Sequence, residues 1–410
     1  MKSIFASAHP LWNVPYRPFF GFGYVWGVVL VSIWFQQLLV MGGVLGAPLV
    51  PRLLAADQHA HLMIWGLWGS FVCGFSLTAH VLQSGMSPPS RKWLRGVFAL
   101  FALSQVLLVL AWTFALDALA LPAKLGVLGA YAFVIGYSLK ASLYRFRNSG
   151  FDARSAIFSL AMLVGGATLA LYDFGPARLA WAAVHTALWG WLVMLVAVFG
   201  SLMTPILTKA ASPECGASTA PSFLPVFLLL AWVLPGLREN FGAGAFAAGN
   251  AVWLLWCAAE WRRWKPEVGM RVTMLLPMHL GWIWLLASLL LAALRPFEDA
   301  LHLTAINPTH LITLGCLGSF VFAVSSRIAQ AHAGRKATLD RMGLVALGLL
   351  QLGALVRVFG ALIAPDNPYL AYALAAALVL AAMLVWLAHY GRLLGARPSG
   401  PPVIMRPVRR

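Results

Sequence analysis

HLMIWGLWGSFV, running from His61 to Val72, decides the fold because it returns as HLITLGCLGSFV from His310 to Val321. Seven of the twelve positions are identical, and the shared pattern is HLxxxGxxGSFV. A weaker copy, HTALWG from His185 to Gly190, keeps the same spacing of five between His and Gly. The three histidines stand 124 and 125 residues apart, four helices each time. Such periods mark duplicated units, and membrane folds are often built from parallel repeats. The repeat therefore predicts twelve helices in three arcs of four around a pseudo-threefold axis, each arc opening with a histidine at similar depth. Gly66, Gly69, Gly315 and Gly318 recur at i and i+3, so another backbone or a flat ligand is expected to approach there.

The rest of the chain agrees with a membrane fold. Of its 410 residues 61% are hydrophobic and 10% charged, against roughly 45–50% and about 25% in soluble domains. A water-soluble globule, a disordered tail and a disulfide scaffold are excluded. A bilayer core needs about 20 apolar residues in helix. Twelve such runs are present: Gly21–Met41, Met63–Val81, Gly96–Leu116, Leu121–Leu139, Ala156–Leu171, Leu179–Leu207, Phe223–Leu237, Phe241–Ala259, Val272–Leu294, Leu303–Ser326, Met342–Ile363 and Tyr369–His389. The fifth and seventh are short. Pro88-Pro89, Ser212-Pro213 and Asn367-Pro368 read as turns between runs.

Loop charges orient the spans. The chain carries 29 Lys and Arg against 12 Asp and Glu, a net +17. The N-terminus, the loops after even-numbered spans and the C-terminus hold 23 of the basic residues, the opposite loops five, and Arg357 lies inside span 11. By the positive-inside rule both termini are cytoplasmic, so the basic excess serves topology rather than nucleic acid. The expected organisation is a cytoplasmic N-terminus (1–20), one twelve-helix domain (21–390) and a basic cytoplasmic tail (391–410). Within the domain the repeats fall at about 61–184, 185–309, and 310–390 completed by 21–60. Pro10 and Pro15 interrupt any early apolar run, so no cleavable signal is expected. Cys73, Cys215, Cys257 and Cys316 have no paired spacing, which suggests neither disulfides nor a thiolate metal site.

Ionisable residues inside a membrane are costly and usually functional. No Asp or Glu lies well inside a span, which weighs against a proton- or sodium-coupled carrier. Histidines take the interior positions instead: His59 and His61 open span 2, His185 lies in span 6, His279 in span 9, and His302 and His310 begin span 10. At 1.5 Å per residue, His185, His310 and Arg357 share a level roughly 10 Å below the outer surface. Imidazole is the commonest metal ligand and an axial ligand to haem, and an arginine at that depth suits haem propionates. His59 and His61 are about 200° apart on a helix, so both cannot face one metal if both are helical. His279, counted from the inner end of span 9, lies in the cytoplasmic half.

Several segments together carry a family signature. Tyr16-Arg17-Pro18-Phe19-Phe20 precedes span 1, and His59-Ala60-His61-Leu62-Met63-Ile64-Trp65-Gly66 opens span 2. Gly200, Pro205 and Thr208 close span 6, and His279-Leu280-Gly281-Trp282-Ile283-Trp284-Leu285 lies in span 9. His310-Leu311-Ile312-Thr313-Leu314-Gly315 opens span 10, followed by Ser326-Arg327 and His332-Ala333-Gly334-Arg335. In order and spacing these resemble the NnrS family, bacterial twelve-helix membrane proteins tied to nitric oxide and described as containing haem and copper. The resemblance implies functional roles for His59, His61, His279, His310, His332 and Arg335, and Arg357 looks like the family's arginine in span 11. The family commonly has Glu after the second histidine of HAH, where this chain has Leu62. A three-by-four arrangement also looks like the catalytic subunit of haem-copper oxidases. Here, however, span 7 lacks an adjacent histidine pair and span 10 lacks HxH, so oxygen reduction is not expected.

These readings combine into one set of expectations. His61 and His310 are the haem candidates, with Arg357 as propionate partner. His59, His185 and His279 are the copper candidates, since imidazole suits copper and no thiolate cluster competes. His302, His332 and Arg335 are secondary. The implied function is a haem- and copper-containing protein of the bacterial cytoplasmic membrane that binds or processes nitric oxide in the nitrosative stress response, with possible partners in membrane lipid and an electron donor. A small neutral diatomic partitions through apolar protein, which fits the acid-free interior. Two other classes compete: a permease for a small or metal-containing solute, and a sensor or assembly factor docking through its basic loops. The sequence assigns no catalytic residue.

Overall fold

A computed structural model describes residues 10–396 apart from Pro51, His302 and Asn307, and the side chains of 235–239 are not described. His9 and His302 therefore lie outside the described residues, as does the basic tail beyond Ala396. The described chain is all helix and connecting turns. Among the described residues, eleven helices are long and apolar enough to cross a membrane, one fewer than the sequence count. They are α1 (Tyr16–Met41), α2 (Ala56–Gln83), α3 (Arg91–Thr113), α4 (Asp117–Ser149), α5 (Ala153–Phe174), α6 (Ala177–Ala211), α8 (Asn240–Arg263), α9 (Leu276–Ala293), α10 (Pro308–His332), α11 (Arg341–Ile363) and α12 (Pro368–Gly395). The seventh run is a shorter apolar helix, α7 (Phe223–Leu234).

Helical φ/ψ runs almost without a break from Phe223 to Arg263, 41 residues, which as one rod would be ~60 Å long. Yet the Ser218 amide donates to the Arg263 carbonyl at 3.0 Å, and the Ala220 amide to the Glu260 carboxylate at 3.1 Å. The chain must therefore double back, and it does so at Gly242, whose φ of 81° and ψ of −177° suit a residue without Cβ. The two ends of the described chain also meet at one end of the bundle. Nη1 of the fully buried Arg17 donates to the carbonyls of Pro10 (3.0 Å) and Ala396 (2.9 Å).

Local chemistry sets the helix ends. The Asp152 carboxylate accepts from the Arg154 amide at 3.1 Å and starts α5 three residues before the apolar run, so the fifth helix reaches 22 residues and is not short. Asp340 caps α11 through the Gly343 amide at 3.0 Å. Inside α6, Pro205 offers no N–H to the carbonyl of Ser201, and the Thr219 hydroxyl donates to that carbonyl at 2.5 Å instead.

Backbone and packing features recur near the spacing of the three histidines. Each of α2, α6 and α10 contains a seven-residue π-helical stretch, at Leu62–Trp68, Ala187–Val193 and Leu311–Leu317. Such stretches are rare and cluster at functional sites. Below them the three helices enclose a cavity of about 80 Å³ in matched register. Its wall takes Trp68, Leu192 and Leu317; Phe71, Leu195 and Phe320; Val72, Val196 and Val321; and Phe75, Phe199 and Val324. Every one of these triples steps by the 124 and 125 residues that separate the histidines.

Two of the four glycines of the repeat are used differently from the expectation. A Cβ on Gly69 would lie 1.8 Å from the Tyr131 hydroxyl, and one on Gly315 would lie 2.4 Å from the Trp284 ring. Both make room for aromatic side chains of neighbouring helices rather than for a ligand. Tyr131 uses that room to donate to the Trp65 carbonyl at 2.9 Å, inside the first π stretch.

Candidate functional site

The π stretches of α2 and α10 lie directly after His61 and His310, and the residues around them form one wall of a polar-edged cavity. This cavity measures about 170 Å³ and is bounded by α1, α2, α6, α10, α11 and α12. Its walls are mostly Leu, Val, Ala, Met and Phe, with polarity concentrated at His59, His310, Arg357, Tyr372, Thr309 and Thr313. No Asp or Glu lines it.

Each polar group is held by a different device. The His59 ring stacks on Trp34 of α1, with centroids 4.0 Å apart and planes at 25°. His310 sits one residue before the π stretch of α10, and both imidazoles are within electrostatic reach of Arg357. The Arg357 guanidinium lies over the Tyr372 ring, 4.0 Å from its centroid. Tyr372 in turn fits because residue 360 is glycine, where a Cβ would approach its ring to 2.7 Å. Nη1 of Arg357 is buried without a hydrogen-bond partner. Cation–π contact offsets part of the cost of this charge, but an arginine inside a membrane ordinarily pairs with an anion or carbonyls.

His61 does not face this cavity. It is fully buried on the opposite side of α2, where its Nε2 lies 3.2 Å from Oδ2 of Asp173. Lys124 reaches the other carboxylate oxygen at 3.3 Å, and Trp65, Trp112 and Tyr172 surround the imidazole. Both His59 and His61 are helical, so their ~200° separation sends them to different partners, as the helix geometry requires.

The copper candidates are dispersed. His59 is in the cavity. His185 stacks on Trp181 at 5.1 Å, outside the lining to which its neighbours Val184 and Leu188 belong. His279 lies near the start of α9, at the other end of the bundle, where Nδ1 accepts from Trp261 Nε1 at 3.1 Å and Nε2 abuts Gly269. Among the described residues no three His, Cys, Asp or Glu are placed to share an ion. His332 packs against Tyr16, with ring centroids 4.9 Å apart and planes tilted by 36°, and contacts the Ile328 carbonyl at 3.1 Å, while Arg335 is exposed just beyond the following turn. Neither is near the cavity lining.

Sequence reasoning missed Trp34, Tyr372 and the Asp173–Lys124 pair. Tyr372 carries a signal, being with Tyr369 one of two tyrosines on the Ala-rich start of α12. Trp34, in an aromatic-rich span, carries none.

A bundle of long apolar helices around a cavity that carries two imidazoles and a guanidinium without a carboxylate defines a multi-pass membrane-type protein with an internal histidine–arginine site. The chain belongs to the NnrS family: the family described as NnrS protein matches residues 10–397, nearly its whole length. A direct comparison with curated proteins finds no match.

Proposed function

We propose that this protein serves the nitric oxide response of a bacterial cytoplasmic membrane, binding or processing NO at a haem held in the histidine–arginine cavity. One observation carries the reading: a buried guanidinium nitrogen of Arg357 without a partner, beside two imidazoles and no carboxylate. That donor set fits a cofactor with an apolar body, a metal that takes imidazole and an anionic edge. His310 and His59 would hold the iron and Arg357 would pair with the carboxylates. His59 thus replaces His61 in the pair argued from sequence. When bound, haem would supply a one-electron couple and, where one of the two imidazoles yields its place, a site for a neutral diatomic.

The protein's own residues do the rest. Trp34 fixes the plane of the His59 imidazole, and Tyr372 fixes the height of Arg357. The apolar walls would keep water from the two imidazoles. The cavity of about 170 Å³ is smaller than the ~300–1,000 Å³ of ordinary ligand sites, so the flexible Met63 and Met383 in its wall must change rotamer on loading. Copper, which the family resemblance implies, lacks a matching ligand set among the described residues, and no step is assigned to it.

Twelve crossings with both termini cytoplasmic belong to the same proposal. The shared contact of Arg17 with Pro10 and Ala396 and the reversal at Gly242 support an even number of crossings. Purified protein tests the function. An absorption spectrum with a Soret band, lost in H310A and in H59A but kept in H61A, supports it. Haem-free wild-type protein that moves a solute across vesicles would instead favour the permease reading.

A further inference from the structure

The central cavity of about 80 Å³ takes no part in the site just described. It lies where α2, α6 and α10 face one another, and its wall is aliphatic and aromatic throughout, with Phe20 and Phe158 closing the sides. Phe20, Phe158, Leu192, Leu317 and Phe320 are each at most 4% exposed. The space exceeds what one water needs, but a buried water requires 2–4 polar partners, and apolar cavities of this kind stay dry and take up xenon or small hydrocarbons.

Its position gives the cavity a second property. Trp68, Phe71 and Val321 line both it and the histidine–arginine cavity. Phe158 and Phe199 line both it and a third cavity, of about 190 Å³, at the opposite end, whose wall includes His80, Arg145, Asp152 and Arg154. Two cavities that carry polar groups are thus separated by an apolar one, which shares lining side chains with each. An ion or proton crossing the dry region would lose its hydrogen-bond partners, at a cost of several kcal/mol or more. A neutral diatomic gives up almost none.

We infer that the central cavity is a binding site for small apolar gases, and that it admits them to the histidine–arginine cavity while blocking water and ions. The gas site stands on the cavity itself; only its service to a haem rests on the function proposed above.

Crystals of the full-length protein pressurised with xenon test the site without any haem. Xenon is expected among Val72, Val196 and Val321. V196F, which fills the space, should reduce its occupancy at least ten-fold, and V72A, which enlarges it, should raise occupancy. V72A keeps the test decisive if V196F does not fold. Ordered water in the cavity, or no xenon in wild type and V72A alike, overturns the proposal. An intact Soret band with no xenon site counts against the gas site alone, and bound xenon in protein that never binds haem counts against the haem alone.

Discussion

Arg357 and Tyr372 form a stacked pair, guanidinium over phenol ring at 4.0 Å, inside a cavity that offers the charge no carboxylate. The ring offsets part of the cost of that buried charge, and Nη1 has no hydrogen-bond partner. The pair ties α11 to α12, and in the function proposed above it also supplies the cavity's recognition of an anionic edge.

Replacing the charge separates these roles. R357Q should fold and keep both histidines, but bind haem ~10–100-fold more weakly, since a charge-assisted hydrogen bond contributes about 1.5–3 kcal/mol. R357K should recover part of the loss, as a point charge without the planar fork. Haem titration of the apo forms measures this, and equal affinity for all three would remove Arg357 from the site.

The buried group around His61 should behave oppositely. Asp173 contacts both His61 (3.2 Å) and Lys124 (3.3 Å). D173N strands Lys124, itself partly exposed, and should lower Tm by several degrees while the absorption spectrum stays unchanged. H61A should do the same. A lost or shifted Soret band in either variant would return His61 to the haem site.

Gly69 and Tyr131 are sterically coupled, because the alanine methyl would overlap the Tyr131 hydroxyl. G69A should destabilise by about 1–3 kcal/mol, the range for overpacking. Y131F gives up the bond to the Trp65 carbonyl but frees space, so G69A/Y131F should be more stable than G69A alone. Additive losses in the double-mutant cycle would show that the two residues do not compete for the same volume.

Topology is checked with reporter fusions. Those at Ser212 and Ser399 should report cytoplasm and one at Leu119 the outside. A fusion after Gly242 should also report outside, because the chain reverses there.

Much of this arrangement was legible because it depends on periodicity. The His-to-Gly spacing of the repeat anticipated the register in which α2, α6 and α10 meet, down to the step between Val72, Val196 and Val321. Helix geometry also required His59 and His61 to part company. Which of them faces the cavity was not legible, since that depends on Trp34 from a distant segment. The π stretches were hidden for a related reason. Their wide turns depend on tertiary partners such as the Tyr131 hydroxyl at the Trp65 carbonyl, and no local propensity encodes them. The reversal at Gly242 was masked by apolar sequence on both sides, and the short α5 of the sequence reading ignored the reach of its Asp152 cap.

The grip of Arg17 on Pro10 and Ala396 has a consequence for how such a chain can be cut and rejoined. One guanidinium nitrogen touches both carbonyls, so a short linker joining Pro10 directly to Ala396 would close the described chain into a ring, and closeness of this kind is what tolerates permutation. The turn at Pro213–Cys215 is on the same end of the bundle, between the second repeat's first helix and the α7–α8 hairpin. Opened there, the ring becomes a chain that starts inside another repeat yet keeps every helix contact. Which repeat is synthesised first would then be an accident of where the gene begins.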